Sequence, residues 1–475
     1  MIENMRVVAK NVSYTFISNI VGLFISTVLV LIVPKFISVE NYGLWQLYIF
    51  YSSYTSYLSL GMTDGVYLKI AGSSYGDLNK NEMKSQYRVI LTFNLLILTI
   101  FGISLCIVDR YNIKNLILFF SFFSACIIVP RSLFTFILQA TNRIKEYAIT
   151  ILLERVIYFI LIILFLVLGV RSVPILICTD LIGKALSYIY TMYLCKDILH
   201  SRSVGLKATM LLTKENISIG SKLLIANLSS MLIIGVLRFS IERVWDIATF
   251  GKVSLTLSIS NMLMIFINSV GIVILPVIKN YDPQKLVKTY KSLRVLLSSA
   301  LYFILLVYFP ANVLISYLLP NYADSVKFVA LLFPMCVFEG KMAMLINTYM
   351  KALRFEAKLM VFNLYSVMLS FLLALVFAFG LKNLNMTVLS IVLSIMFKAI
   401  IAERFLSKEM KIRLDKYILL DILVTFYFIF LAWIFTNVVG FLLYLVMLVI
   451  YLIMNKKTII SSAFFFKGRE IRNDK

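Results

Sequence analysis

The sequence has few of the residues that carry enzyme chemistry in most proteins. It contains one histidine, His200, and five cysteines among 475 residues, and no two cysteines are spaced as CxxC. Because that spacing is typical of zinc sites and redox-active dithiols, neither a metal site nor a disulfide framework is expected. The sequence also has no GxxxxGK[ST] segment, which excludes a P-loop ATPase. We therefore predict no catalytic residue, no bound metal and no cofactor.

Acidic residues and long polar segments are also scarce. The chain has 23 Asp and Glu against 46 Lys and Arg, and 61% of its residues are hydrophobic. A bilayer core about 30 Å thick needs roughly 20 apolar residues per helix. Runs of about that length occur six times between 12 and 195, six times between 220 and 405, and twice between 417 and 454. The predicted fold class is an all-α polytopic membrane protein with about 14 transmembrane helices and no separate soluble domain.

Basic residues favour every second gap between the apolar runs, and this pattern predicts the orientation. Short loops rich in Lys and Arg remain in the cytoplasm. The alternate gaps are poor in basic residues and hold Lys35, Arg110, Lys114, Arg171, Arg243, Lys252, Lys327 and Lys382. We expect both termini in the cytoplasm, a first span that is retained rather than cleaved, and a location in the bacterial cytoplasmic membrane. The net charge of +23 then reflects topology and anionic lipid, and requires no nucleic-acid partner.

The gaps on the predicted outer side are short. Membrane polymerases and glycosyltransferases that act on lipid-linked sugars generally need a large outer loop to hold the acceptor and the catalytic groups. The sequence therefore favours transport across the membrane over chemistry on its outer face, and we predict that the protein is not an enzyme.

The first twelve runs form two similar halves. An overlay that places Gly43 on Gly251 also pairs Asn19 with Asn227. An even number of spans keeps both halves in one orientation, and parallel repeats place their substrate at the interface, with rocking that gives alternating access. We predict two six-helix halves related by a pseudo-two-fold axis. The predicted divisions are 1–200 and 201–410 for the halves, and 411–475 for two extra helices and a basic cytoplasmic tail.

The N-terminal segments resemble a known family of transporters. The segments are AKNVSYTFISNIVGLFIS and VPKFISVENYGLWQLYIFYSSYTSYLSLGMTDGVYLKIAG, with Tyr42-Gly43 in the second span and Leu60-Gly61 at its end. They are similar to the start of the oligosaccharide flippases (Wzx-type polysaccharide biosynthesis proteins) of the multidrug/oligosaccharidyl-lipid/polysaccharide exporter superfamily. The resemblance implies transfer of undecaprenyl-diphosphate-linked oligosaccharide from the cytoplasmic to the outer leaflet.

That resemblance also implies a cellular context. The repeat units would serve O-antigen, capsule or exopolysaccharide synthesis, and the implied partners are membrane lipids, a polysaccharide polymerase and chain-length machinery. Two alternatives stay open. A multidrug or metabolite exporter of the same superfamily would typically have twelve spans, and a membrane-embedded polymerase would need an outer loop.

Charged residues inside the apolar runs are the candidates for a functional site. A charge at the centre of a span costs about 2.5 to 3.5 kcal/mol, so these residues should face protein or a wet cavity. Arginine can bind phosphate oxygens bidentately, which suits a diphosphate substrate. The substrate-cavity candidates are Arg238, Glu242, Arg131, Arg155, Lys341, Asn19 and Asn227. The carboxylates predicted to couple transport to sodium or protons are Glu339, Asp180 and Glu154.

Several of these residues have a second interpretation. Arg238 and Glu242 are one turn apart and serve either the substrate or the anchoring of their helix at the outer interface. Asp180 and Lys184, also one turn apart, are expected to form a mutual ion pair. Asn19 and Asn227 could instead form hydrogen bonds between helices. The spacing alone does not choose between these roles.

The remaining charges carry alternatives of the same kind. Arg131 follows Pro130, which predicts a broken helix with an inward cation. Glu154 and Arg155 point two ways from one helix, so cross-helix contacts are the expected role, with substrate contact as the alternative. For Glu339 and Lys341, which bracket Gly340, helix pairing and a cavity role stay equal. Lys398 is expected to extend to the cytoplasmic surface.

Overall fold

The structure, a computed structural model, describes residues 2–107, 112–279, 283–456 and 459. Most of these residues lie in helices. Helices make up 88% of the chain, and the described residues contain no strand. The predicted all-α class is confirmed. Arg110 and the basic tail from Lys467 onward, which contributed to the predicted orientation, lie outside the described residues.

The chain divides into two compact units, Met1–Leu228 and Ser229–Lys475. The helices that begin in the first unit are α1 (Ile2–Phe36), α2 (Val39–Tyr54), α3 (Met62–Ile70), α4 (Lys80–Ile107), α5 (Ile113–Ala140), α6 (Ile144–Val167), α7 (Val173–Leu194), α8 (Lys196–His200) and α9 (Leu206–Val244). The predicted divisions at 200 and 410 and the pseudo-two-fold relation stay predictions.

The second unit contains the end of α9 and the helices that follow it. These are α10 (Ile247–Lys279), α11 (Pro283–Leu305), α12 (Tyr308–Leu318), α13 (Val326–Leu332), α14 (Met335–Lys341), α15 (Asn347–Ala352), α16 (Glu356–Ala374), α17 (Leu384–Glu409), α18 (Asp415–Ile434) and α19 (Val438–Met454). Asn383 and Asn437 begin α17 and α19, because their side chains accept hydrogen bonds from Met386 N and Val439 N at 3.1 Å each.

Ten helices among the described residues are long and apolar enough to cross a bilayer. A pair bent by 42°, Pro320–Leu332 with Met335–Ala352, would make an eleventh span. The other predicted spans coincide with α2, α10 and α19, and α19 is a shorter apolar helix of 17 residues. A polytopic membrane protein is therefore supported, and the total of fourteen spans stays a prediction.

Two local predictions were wrong. The helix α5 is not broken at Pro130 but continues from Ile113 to Ala140. Proline removes one backbone hydrogen bond, and the dense packing of α5 against α2, α3, α4 and α7 keeps the helix intact. The stretch 206–216, which lies between the sixth and seventh apolar runs and was expected to be a gap between spans, is the first part of α9, and near its end the Asn216 backbone lies close to Gly65 of α3.

Three glycines let α3 and α9 approach closely within the first unit. Gly61 has a φ of +85°, and an added Cβ there would lie 2.9 Å from both Gly220 C and Ser221 N. A Cβ at Gly65 would overlap the Asn216 backbone, and one at Gly220 would overlap the Gly61 carbonyl oxygen. Gly61 and Gly65 form a GxxxG pair, which allows such backbone contact between membrane helices.

We expect Gly220→Ala to destabilise the first unit, because the new methyl group meets backbone atoms that cannot rotate away. Overpacking of this kind costs about 1–3 kcal/mol. The measurement is the apparent unfolding temperature of the purified protein in detergent. Gly102→Ala on α4 is the matched control, since a Cβ there makes only an ordinary contact of 3.7 Å with Phe119. Equal unfolding temperatures for the two variants would contradict the prediction.

The segment between α7 and α9 is fixed to the start of α4. Lys84 Nζ donates to two backbone carbonyls near the end of α8, at 2.6 Å each. Asp197 accepts a hydrogen bond of 2.7 Å from Tyr75 and pairs with Lys80 at 2.7 Å. Burial opposes ionisation of Asp197, but the contacts with Lys80 and Tyr75 outweigh it and lower the pKa of the carboxyl. The carboxylate is therefore charged at neutral pH and holds this segment on the first unit.

Candidate functional site

An ion pair joins α5 to α6 inside the first unit. Arg131 is buried, and its guanidinium pairs with the Glu154 carboxylate. The same Nη1 donates to Ser187 Oγ of α7 at 3.0 Å, and that hydroxyl donates to the Thr150 carbonyl at 2.9 Å. The expected cross-helix contact of Glu154 is confirmed. The roles of Arg131 in a substrate cavity and of Glu154 in ion coupling stay predictions.

A second charged pair lies on α7. Lys184 Nζ is 2.5 Å from Asp180 Oδ2, so the predicted ion pair one turn apart is confirmed. Tyr48 donates its hydroxyl proton to Asp180 at 2.5 Å, and Lys184 donates to Ser52 and Ser124 at 3.1 and 3.2 Å. These contacts connect α2, α5 and α7 through one polar cluster, in which every charge has a partner.

Arg155 differs from these cations because it is exposed at the middle of a membrane helix. It lies half-way along α6, and the ion pairs found among the described residues do not include it. Its side chain lies over Gly22 of α1: an added Cβ at Gly22 would be 2.9 Å from Arg155 Cζ and 3.4 Å from Cδ. The absence of a side chain at Gly22 therefore leaves room for the guanidinium against α1.

The exposed face that holds Arg155 is not the apolar face of α6. Ile160, Leu164 and Val167 are exposed and share one side of the helix. Leu164 follows Arg155 by nine residues, about two and a half turns, and therefore lies on the opposite side. An exposed cation at this depth is too costly to face lipid. The cavity role of Arg155 stays a prediction, and its exposure agrees with it.

Asn19 lies on the same side of α1 as Gly22, one turn earlier, and is half-buried. The structure thus brings two of the predicted cavity residues, Asn19 and Arg155, to one region of the first unit. Asn227 is exposed on α9.

Arg238 and Glu242 both lie on α9 in the second unit. Arg238 donates to Ser254 Oγ at 3.0 Å, and its guanidinium carbon is 5.3 Å from the centre of the Phe250 ring. Glu242 is buried, with an exposure of 3%, and its carboxylate is 3.4 Å from Arg243 Nε. Both side chains thus contact other residues of the second unit. A substrate or gating role for them stays a prediction.

Glu339 pairs with Lys398, a residue that the sequence analysis places at the cytoplasmic surface. Its carboxylate is 3.5 Å from Lys398 Nζ of α17, and this ammonium group also donates to Ser230 Oγ at 3.3 Å. Lys398 is only 4% exposed, so the predicted extension to the cytoplasmic surface was wrong. The nearby carboxylate and hydroxyl satisfy the charge inside the protein.

Lys341 belongs to a cluster of four buried charges that the sequence reasoning missed. Its ammonium group pairs with Asp421 of α18, while Arg294 of α11 contacts both Asp421 and Glu403 of α17. Asp421 and Glu403 lie inside apolar runs and could have been noticed as intramembrane carboxylates. Arg294 lies just before such a run, and hydropathy alone assigns it to the loop.

No group of three or more His, Cys, Asp or Glu side chains in the described part of the chain could hold a metal ion. The described carboxylates named above pair instead with Lys or Arg.

The fold resembles those of several solved membrane transport proteins. No protein family and no curated protein sequence matches the chain. Among solved structures, the lipid II flippase MurJ in an inward closed conformation has a TM-score of 0.68 at 15% identity, covering 95% of this chain and 100% of its own.

Two further structures are similar. An inward-facing multidrug resistance MATE family transporter of the MOP superfamily has a TM-score of 0.61 at 14% identity, over 83% of this chain and 98% of its own. An outward-facing one has a TM-score of 0.52 at 14% identity, over 85% and 96%. Identities this low establish the fold alone: this chain has a fold similar to that of a lipid II flippase and to that of multidrug resistance MATE family transporters.

Proposed function

We propose that this protein is a flippase that moves undecaprenyl-diphosphate-linked oligosaccharide from the cytoplasmic to the outer leaflet by alternating access. The repeat units would supply O-antigen, capsule or exopolysaccharide synthesis at the bacterial cytoplasmic membrane. The N-terminal resemblance to oligosaccharide flippases suggests the substrate class. The observation that carries the proposal is Arg155, an exposed cation half-way along the apolar helix α6 and beside α1.

A diphosphate that crosses the membrane needs a cation to bind its negative charges. Burying its negative charges in a membrane protein is costly unless cations or N–H donors meet the phosphate oxygens. Arg131, Lys184 and Lys398 already pair with carboxylates, so they offer little net attraction to an anion. Arg155 keeps its donors accessible, and Asn19 adds an amide on the neighbouring helix.

The extent of the structural likeness favours a flippase over an exporter. The flippase structure covers 95% of this chain. The inward-facing MATE family transporter covers only 83% of this chain, although 98% of the transporter itself is aligned. Part of this chain thus has no counterpart in the exporter. A chain with two helices beyond a twelve-helix core would produce this difference.

The test is the leaflet location of lipid-linked oligosaccharide in cells that lack this protein. We expect repeat units to accumulate facing the cytoplasm and to move outward when the intact gene is restored. Protection from an enzyme that modifies sugars only on the outer face would report the location.

The other outcomes discriminate the alternatives. Units that reach the outer leaflet but remain unpolymerised would refute the flippase and favour a polymerase. Normal polysaccharide together with a raised sensitivity to toxic cations would instead favour the exporter.

A further inference from the structure

Four charged side chains meet in the interior of the second unit. They are Arg294, Lys341, Glu403 and Asp421, and their side-chain exposures are 1%, 2%, 4% and 4%. They come from α11, α14, α17 and α18, so one polar cluster joins four helices. Removing charges from water this completely is expensive unless they compensate one another.

The cluster is balanced in charge, and hydrogen bonds connect its members. Arg294 donates hydrogen bonds to the Glu403 carboxylate from Nε at 2.7 Å and from Nη2 at 3.1 Å. Its Nη2 also donates to Asp421 at 2.6 Å. Lys341 donates to the same Asp421 oxygen. Two cations therefore face two carboxylates.

Tyrosine hydroxyls supply the remaining donors. Tyr290 donates to Glu403 at 3.3 Å, and Tyr302 donates to the second oxygen of Asp421. All four carboxylate oxygens thus accept at least one hydrogen bond.

Asp421 is the contribution of α18 to this cluster. The opposite side of α18 is apolar and exposed, with Leu419, Leu423 and Phe430 each 57% exposed. Asp421 is thus a buried charge on the packed side of a helix whose other side is apolar.

The last helix depends on the same region. Tyr444 of α19 donates to the Tyr302 carbonyl at 3.1 Å, and its ring lies 5.3 Å from Phe428 of α18. Tyr451 packs edge-on to Tyr302 at 5.0 Å. Displacing α18 would thus disturb α19 as well.

We propose that Asp421 anchors α18 and α19 to the second unit and makes them an obligatory part of its folded core. The anchor requires neutrality of the four-charge cluster rather than any single ion pair. Without Asp421, Arg294 and Lys341 would leave one buried positive charge uncompensated. This inference concerns assembly and holds whichever substrate is transported.

The experiment compares two double variants of the full chain that each carry two substitutions in the cluster. Asp421→Asn with Lys341→Met removes one charge of each sign and leaves the Arg294–Glu403 pair. Asp421→Asn with Glu403→Gln removes two negative charges and leaves two cations. The single variant Asp421→Asn lies between them in charge.

Two readouts are measured in mild detergent. One is the apparent unfolding temperature. The other is whether the C-terminal fragment stays bound after trypsin cuts at the exposed Lys411 or Arg413. For Asp421→Asn we expect an unfolding temperature lower by roughly 5 to 15 °C and release of the fragment. The neutral double variant should recover most of the unfolding temperature and should retain the fragment. The cationic double variant should recover neither property.

Each other result overturns the proposal. An unchanged Asp421→Asn protein that retains its fragment would mean that the apolar contacts alone hold α18. Equal behaviour of the two double variants, including failure of both to fold, would mean that charge balance is not the requirement.

Discussion

Arg155→Met is expected to reduce the transfer of lipid-linked oligosaccharide by about 10- to 100-fold, because a hydrogen bond to a charged group contributes about 1.5–3 kcal/mol. The protein should still fold, since the ion pairs of the described residues do not include Arg155. Arg155→Lys should retain part of the activity, because an ammonium group attracts phosphate but cannot bind it bidentately. The measurement is the rate of outer-leaflet appearance in cells with matched protein levels.

Lys145→Met is the matched control for this prediction. Lys145 is also exposed and lies on α6, but in its first turn, ten residues before Arg155. The loss of a positive charge there should leave transfer unchanged. If Arg155→Met and Lys145→Met transferred substrate equally well, Arg155 would have no part in binding the diphosphate.

The sequence predicts those features that one helix or one span determines. Apolar run length locates the membrane helices, because each must satisfy its own backbone in lipid. The Asp180–Lys184 pair was also predictable, since residues four apart share a face of any helix. Arg131 was recognised as an inward cation, although its helix continues through Pro130.

Contacts between distant helices were not predictable in this way. Lys341 has Glu339 nearby in sequence, yet it pairs with Asp421, 80 residues away. The turn of the helix directs Glu339 and Lys341 to different neighbours, so Glu339 meets Lys398 instead. Which charges meet depends on the packing of several helices, and a single sequence does not contain that information.

The boundary of an apolar run is also a poor guide to the boundary of a buried helix. Arg294 lies just before an apolar run, where hydropathy predicts a loop, but it belongs to α11 and its side chain is only 1% exposed. A buried arginine becomes tolerable only when two carboxylates surround it. Glu403 and Asp421 provide them from other helices.

The three carboxylates predicted to couple transport to an ion gradient are held to different degrees. The side chains of Glu154 and Asp180 are 19% and 16% exposed and form close pairs with Arg131 and Lys184. Glu339 is 26% exposed and lies 3.5 Å from its partner lysine. A coupling carboxylate must release its partner and exchange ions with water. Glu339 fits this requirement best.

Glu339→Gln is therefore expected to fold normally and to lose gradient-driven transfer by roughly 5- to 150-fold, the usual range of a coupling free energy. Lys398 would keep its hydrogen bond to Ser230, which limits the structural cost. The measurement is transfer into vesicles with and without an imposed sodium or proton gradient. Asp180→Asn is the contrasting variant: it breaks a largely buried pair at a cost of about 3–5 kcal/mol and should lower the yield of folded protein. If Glu339→Gln responded to the gradient as the unmodified protein does, Glu339 would be a structural residue, because a carboxylate that carries the coupling ion cannot be replaced by an amide without loss.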